Sequence, residues 1–390
     1  MNVLQQDFEE AMGEMALAAA SARAYALSWK DRTGRKVVGS FPMHFPAELV
    51  QAAGGLPVVL QEVADEITVG HGVIFPFYCG FTRSTVDQAA SGTLDFADGI
   101  VFGDTCVQIL GAADVVRMEL PDINVYFFQL LACMRDSWTE ENVYDTLSKS
   151  RRGVEQMLDT EITDDALWSA IHLFNQNRSL IREIYDLRRR NPDLLTAVEL
   201  QTIVKSSMIM DKTEHTGLLQ RVVSGLRERA PGQDRSVRVF VSGHMCHAPK
   251  PEILNLIEEA GAIIADDDLY TGFRYVSTDI EGEGDPILAM VRGYMAKNAK
   301  VPDPTKIDPE VDWEGYLLKA VAASRSQGMI ILMPKYCEPH YYYYPEIKEA
   351  FEAQGVPHLL IETDHEEAPL ESLRTRIETF VELARQREFA

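Results

Sequence analysis

Along the chain, short apolar runs alternate with longer segments in which apolar positions recur every three or four residues, a pattern that predicts strands set between helices. After an amphipathic helical start over residues 4–30, strands are predicted at Val37–Phe45, Val73–Tyr78, Gly99–Phe102 and Ile123–Phe128. From residue 139 to 230 the period turns helical. Leu167, Ile171, Phe174, Ile181, Ile184 and Leu187 share one face there, until Asn191-Pro192 stops the run. A second series follows, with strands predicted at Val237–Val241, Ala262–Ala265, Met329–Met333 and His358–Ile361. Helices are predicted over Glu252–Ala260, around Trp313–Ser324, over Tyr344–Gln354 and from Leu370 to Arg387, with the polar, proline-containing stretch Asn298–Pro309 between the first two.

Such alternation implies an α/β fold with two Rossmann-like parallel-sheet domains and a helical N-terminal and bridging region. The expected division is an N-terminal helical segment over 1–35, a first α/β domain over 36–138, a helical bridge over 139–230 and a second α/β domain over 231–390.

Charge narrows the partners. With 37 Lys and Arg against 60 Asp and Glu, the net charge of −23 would repel nucleic acid and anionic membrane surfaces, so neither is an expected partner. No signal peptide is read in the first residues, and no stretch approaches the roughly 20 apolar residues that span a bilayer. A cytoplasmic enzyme or enzyme subunit is the expectation. Five cysteines, an odd number spread along a chain without an export signal, argue against a disulfide framework.

Those cysteines carry the chemistry. Cys79 follows GVIFPFY, Cys106 follows DGIVFGDT and Cys337 follows GMIILMPKY, so each is expected at a strand-exit loop, where open parallel sheets build their sites. Cys246, in His244-Met245-Cys246-His247 after VRVFV, is placed similarly, whereas Cys133 in QLLACMRD reads as part of a helix. A single cysteine is usually a small buried hydrophobe. Three at equivalent positions suggest soft ligands for zinc or an iron–sulfur cluster, and the lack of a C-x-x-C pair disfavours structural zinc.

Taken together, FPMHFPAELVQAAGGLPV, CGFTRSTVDQAASGTLDFADGIVFGDTC, NRSLIREIYDLRRRNPDLL, IEEAGAIIADDDLYTGFRY, DPILAMVRGYM and GMIILMPKYCEPHYYYYPEIKEAFEAQGVPHLLIETD resemble the 2-hydroxyacyl-CoA dehydratase and benzoyl-CoA reductase superfamily. The resemblance implies a [4Fe–4S] cluster held by three cysteines, which map onto Cys79 (with Arg83 in the C-x-x-x-R-like segment), Cys106 and Cys337. Val107 stands where the family often has Asp, and Asp303 where some relatives carry another cysteine. Three thiolates would leave one iron open to water or a thioester carbonyl. The resemblance further implies low-potential one-electron reduction of an acyl-CoA thioester, a homologous second subunit, and an ATP-hydrolysing iron–sulfur activator. This chain has no phosphate loop of its own, so ATP is expected to act only through that activator.

The favoured activity is benzoyl-CoA reductase-like ring reduction on an aromatic acyl-CoA. The alternatives are α,β-dehydration of a 2-hydroxyacyl-CoA, or an iron–sulfur electron-transfer subunit without chemistry of its own. His44, Glu48 and His340 are the proposed proton-handling residues, against plainer readings of loop histidines and a carboxylate at a helix N-terminus. The Tyr341–Tyr344 run reads first as packing surface, and Cys246 as loop packing beside the same crevice. Asp266, Asp267 and Asp268, followed by Gly272, Arg274 and Tyr275, are expected to be structural, and Arg188, Arg189 and Arg190 to complement a helix dipole.

Overall fold

The computed structural model describes residues 3–229, 237–243, 246–366 and 370–387. Two helices, α1 (Val3–Ala20) and α2 (Ala22–Thr33), replace the single N-terminal helix read from the pattern. Ser21 separates them, and its hydroxyl accepts the Ala24 N–H to cap the second. The first sheet comprises β1 (Val37–Ser40), β2 (Leu56–Val59), β3 (Gly99–Gly103) and β4 (Asn124–Phe128), with α3 (Glu48–Ala52), α4 (Gly80–Ala90) and α5 (Val107–Glu119) between strands. Four helices then follow in succession: α6 (Thr139–Leu158), α7 (Asp164–Arg190), α8 (Ala197–Ser207) and α9 (Lys212–Arg227).

The second sheet comprises β5 (Val237–Gly243), β6 (Ala262–Asp267), β7 (Gly328–Pro334) and β8 (His358–Thr363). Its helices are α10 (Pro251–Glu259), α11 (Phe273–Val276), α12 (Pro286–Lys300), α13 (Trp313–Ala323), α14 (Glu338–Ala353) and α15 (Leu370–Arg385). All pairings are parallel, and the two sheets repeat one order, β2-β1-β3-β4 and β6-β5-β7-β8. The α/β expectation of two parallel sheets holds. In each sheet the order reverses between the first and third strands, which opens a crevice beyond their carboxyl ends.

Two strand readings change. Val73–Tyr78 forms no strand: it follows a short 3-10 turn at Val69–Gly72 and runs through turns and bends, with Phe75 and Phe77 exposed and their rings stacked at 5.1 Å. Leu56–Val59 is a strand that the pattern did not reveal. Pro57 cannot donate to a ladder, yet β2 lies at the edge of the sheet, where a missing N–H is tolerated. Likewise, the helix expected from Tyr344 begins at Glu338 and runs through Pro345, so the tyrosine run lies within it. Cys133, read as helical, lies in a loop and makes an isolated bridge to Ile307.

Helix α7 shows how the sequence builds the centre of the molecule. Thr163 caps it by accepting the Ala166 N–H, Asp164 and Asp165 occupy the first turn, and Arg188 to Arg190 the last. Its buried face splits its loyalties. Leu167 and Ile171 pack with Val38, Val101 and Val143 beside the first sheet, while Ile181, Ile184 and Tyr185 join a core with Phe8, Met15, Leu219 and Val222 of α1 and α9. Helix α12 returns to the first sheet, where Ile287, Met290 and Val291 enter the same core as Val38. Among the described residues, no helix is long and apolar enough to cross a membrane.

Candidate functional site

Three cysteines occupy matching places, each the residue directly before a helix: Cys79 before α4, Cys106 before α5 and Cys337 before α14. Cys106 and Cys337 leave β3 and β7, as expected of strand exits. Cys79 does not, because the segment preceding it is a turn rather than a strand. The three helices present unpaired N–H groups and the positive ends of their dipoles to these positions, which favours thiolate. None of the three side chains is spent as a helix cap.

One side chain ties the three loops together. Gln108, in the first turn of α5, accepts the Cys79 N–H at 2.7 Å through Oε1, and its Nε2 donates to the Tyr336 carbonyl at 2.7 Å. Tyr336 precedes Cys337 in the left-handed region at φ 67°, a conformation costly for a residue with a Cβ. Arg83 adds a second tie between the halves, donating to the Tyr78 carbonyl at 3.0 Å and to Asp364, beyond β8, at 2.8 Å.

Electrostatics place the thiols in one environment. Burial, aided by the charge of Cys79, pushes the Cys106 thiol up to about 11, and burial with Cys79 and Cys106 pushes Cys337 higher still. Burial raises Cys246 too, with further contributions from Cys79, Cys106 and Cys337; its Sγ lies 3.9 Å from the Met43 sulfur. Cys133 belongs elsewhere, donating to Asp136 at 3.0 Å.

Cys79 is the exception. Burial opposes its ionisation, but a hydrogen bond and the charge of His247 override burial and hold it below the ordinary thiol value. Burial would likewise discharge His247, yet Glu62 and Cys79 together raise it to about 10. Glu62 receives His247 on one oxygen and His365 Nδ1, at 2.7 Å, on the other. His365 Nε2 also faces an acceptor, the Asp65 carbonyl at 2.9 Å, so both its nitrogens carry hydrogen and the ring is cationic. Hydrogen bonds and charge coupling therefore run from Cys79 through His247 and Glu62 to His365. Gly80 lets this array approach: a Cβ there would meet His365 Cβ at 2.8 Å and Glu62 Oε1 at 2.9 Å.

Among the described residues, no three His, Cys, Asp or Glu side chains close to the spacing of a single metal ion. The donor set nevertheless fits a larger group. Three soft sulfurs converge from separate loops, and burial and mutual repulsion oppose their ionising together without a cationic partner such as cluster iron. A cubane also spreads its thiolates wider than one ion does.

The remaining sequence-predicted residues divide. His340 Nδ1 lies 3.8 Å from Cys337 Sγ, stacked on Trp313 at 5.4 Å; burial and Arg274 lower it to about 3, so it is neutral. His44 follows Met43 in the turn after β1, both at positive φ, and the Met43 N–H donates to the Tyr270 hydroxyl at 2.7 Å. Burial, then Lys306, lowers His44 to about 4. Its Nε2 approaches Asp303 to 3.2 Å without the alignment of a hydrogen bond. Glu48 accepts from Arg178 at 2.8 Å. His244 and Met245 lie outside the described residues.

Asp266, Asp267 and Asp268 are buried and taken by Arg189, Tyr185 and Arg274 respectively, which accounts for them structurally. Arg188 does more than complement a dipole: it is 1% exposed and donates to the Leu195 carbonyl at 3.1 Å. Sequence reasoning missed Gln108, Glu62 and His365 and left His247 as a loop neighbour. Gln108 had a signal, since it stands two residues past Cys106 at a helix start. Glu62 and His365 had none, because they partner each other across 303 positions of the chain.

Comparison with known proteins gives this arrangement its context. Residues 42–383 match the model of the family described as 2-hydroxyglutaryl-CoA dehydratase, D-component. A benzoyl-CoA reductase subunit of Thauera aromatica is 27% identical over 364 residues, covering 92% of this chain and 93% of that protein. The (R)-phenyllactyl-CoA dehydratase beta subunit of Clostridium sporogenes is 25% identical over 360 residues, covering 92% and 95%. The beta subunit of (R)-2-hydroxyglutaryl-CoA dehydratase from Acidaminococcus fermentans is 27% identical over 359 residues, covering 90% and 92%. With the family match spanning nearly the whole chain, this protein belongs to the 2-hydroxyglutaryl-CoA dehydratase D-component family, whose members include subunits of acyl-CoA dehydratases and reductases.

Proposed function

We propose that this chain is the iron–sulfur subunit of an ATP-dependent enzyme acting on an acyl-CoA thioester, and that Cys79, Cys106 and Cys337 hold a [4Fe–4S] cluster. The observation that carries the reading is the Gln108 bridge, which fixes the loops of all three cysteines relative to one another. When bound, the cluster would supply single electrons at low potential. The chain's own residues set the conditions: burial excludes water, helix N-termini and the His247 imidazolium favour thiolate at Cys79, and Cys246 stands by as a neutral thiol.

His340, neutral and beside Cys337, has one ring N–H available to hydrogen-bond a sulfur or to relay a proton. His44 and Glu48 face a cavity in the helical region and are proposed as proton-handling groups for an acyl moiety seated there. The partners proposed are a homologous second subunit and a separate ATP-hydrolysing iron–sulfur activator. Exposed Phe75, Phe77, Val107 and Tyr336 flank the cysteine loops and offer an apolar surface for such a subunit.

We favour ring reduction of an aromatic acyl-CoA, given the benzoyl-CoA reductase relative; dehydration of a 2-hydroxyacyl-CoA is the second reading, favoured by dehydratase relatives of equal identity. Anaerobic assay of the assembled complex with activator, ATP and reductant separates them. Turnover of benzoyl-CoA supports the first reading, and turnover of a 2-hydroxyacyl-CoA alone overturns it. An iron–sulfur spectrum without turnover of either, and without substrate-induced change, would make this chain a relay.

A further inference from the structure

A cavity of about 120 Å³ lies where α6, α7, α9 and α12 meet the turn after β1, and no cysteine lines it. Its size approaches the roughly 150 Å³ that admits benzene in an engineered apolar cavity. Phe45, Leu147, Phe174, Ile280 and Met290 form an apolar wall, while Arg178, Lys212 and Lys297 face it with Glu48.

Cation and anion do not balance here. Glu48 is taken by Arg178 and the neighbouring Asp279 by Arg182; Glu48, Asp211 and Asp303 act on the lysines only through space, and neither lysine forms an ion pair among the described residues. Lys212 is 2% exposed, and its Nζ donates only to the Ser207 carbonyl and hydroxyl, 4.6 Å from the centre of the Phe174 ring. Lys297 makes neither an ion pair nor a hydrogen bond among the described residues; its Nζ stands 5.9 Å from the centre of the Tyr270 ring. Burial, then Arg178, lowers Lys212 to about 7 and Lys297 to about 8. A buried ammonium without an anion is costly, and a chain of net charge −23 has carboxylates in abundance that it does not place here.

We infer that this cavity binds a small carboxylate, its apolar body of ring or short-chain size against Phe174 and Met290 and its charge met by Lys212 and Lys297. The carboxylate arrives either as a free acid or as the distal end of a dicarboxylic acyl thioester. The inference rests on the reading of this cavity as the acyl site and deepens it, while it is independent of the cysteine assignment.

Calorimetric titration of the 390-residue chain with benzoate, and with benzamide as the neutral analogue, tests the proposal. Saturable 1:1 binding of benzoate is expected, with benzamide at least tenfold weaker. Lys297→Met and Lys212→Met should each weaken benzoate at least tenfold, and Leu147→Trp, which fills the space, should abolish it. Lys297 forms no bond whose loss would unfold the chain, so its variant decides the matter if Lys212→Met does not fold.

Displacement of benzoate by glutaryl-CoA but not glutarate assigns the site to a thioester, and displacement by glutarate to a free acid. No saturable binding of benzoate, equal binding of benzamide, or a folded Lys297→Met chain that binds as wild type does would each overturn the proposal. Iron content measured on the same preparations keeps this outcome separate from that of the cysteine assignment.

Discussion

Gln108 accepts the backbone N–H of Cys79 at 2.7 Å, and with its other end holds the carbonyl next to Cys337. A single side chain on α5 therefore sets the relative position of loops that are far apart in sequence. Gln108→Ala would leave a buried N–H and a carbonyl unpaired, at about 1–3 kcal/mol each. Urea unfolding of the metal-free chain should show a loss of roughly 2–6 kcal/mol. Gln108→Glu restores the acceptor and not the donor, so it should recover only part of that loss.

Removing a proposed ligand should empty the site without unfolding the chain. Cys79→Ser, Cys106→Ser and Cys337→Ser, prepared anaerobically, are each expected to lose most of their iron and acid-labile sulfide. Cys133→Ser should keep both, since that sulfur bonds Asp136 away from the other four cysteines. Iron content at the wild-type level in all three variants would refute the assignment.

Gly80 is required by contact rather than by backbone angle. An added methyl would press on His365 and on the Glu62 carboxylate, both in the charge array behind Cys79. Gly80→Ala should cost about 1–3 kcal/mol in unfolding free energy, as overpacking of a filled site does. Thermal unfolding with a midpoint unchanged from wild type would show that the array can yield.

Lys212 gives the chain a pH dependence whose sign is fixed. Its folded value of about 7 lies below the ordinary lysine value, so between them the unfolded chain binds more protons. This contribution makes stability rise with pH from about 7 to about 10.4, by up to about 1.4 kcal/mol per pH unit. Lys212→Met should remove it. Unfolding free energies of both chains at pH 7 and 9.5 give the test: a difference independent of pH would mean that the ammonium is paired at neutral pH.

Much of the fold was legible because its signals are local. The apolar run at Gly99–Gly103 and the one-faced period of α7 need no tertiary knowledge to read, and the capping hydroxyl of Thr163 stands in the sequence beside the helix it caps. Val73–Tyr78 misled for the same reason: a strand is made by a partner, and this segment finds none. Pro57 hid β2 because only its place at the sheet edge makes the missing N–H harmless.

By itself, then, the sequence determined the two parallel sheets and singled out Cys79, Cys106 and Cys337 as candidate ligands, since periodicity and motif spacing act over a few residues. Tertiary structure alone decided what surrounds the thiols and the cavity. Hydrogen bonds such as Gln108 to Tyr336, and the unmatched charge of Lys212 and Lys297, join residues that the chain keeps far apart. Burial, which sets the strength of those charges, exists only once the chain has packed.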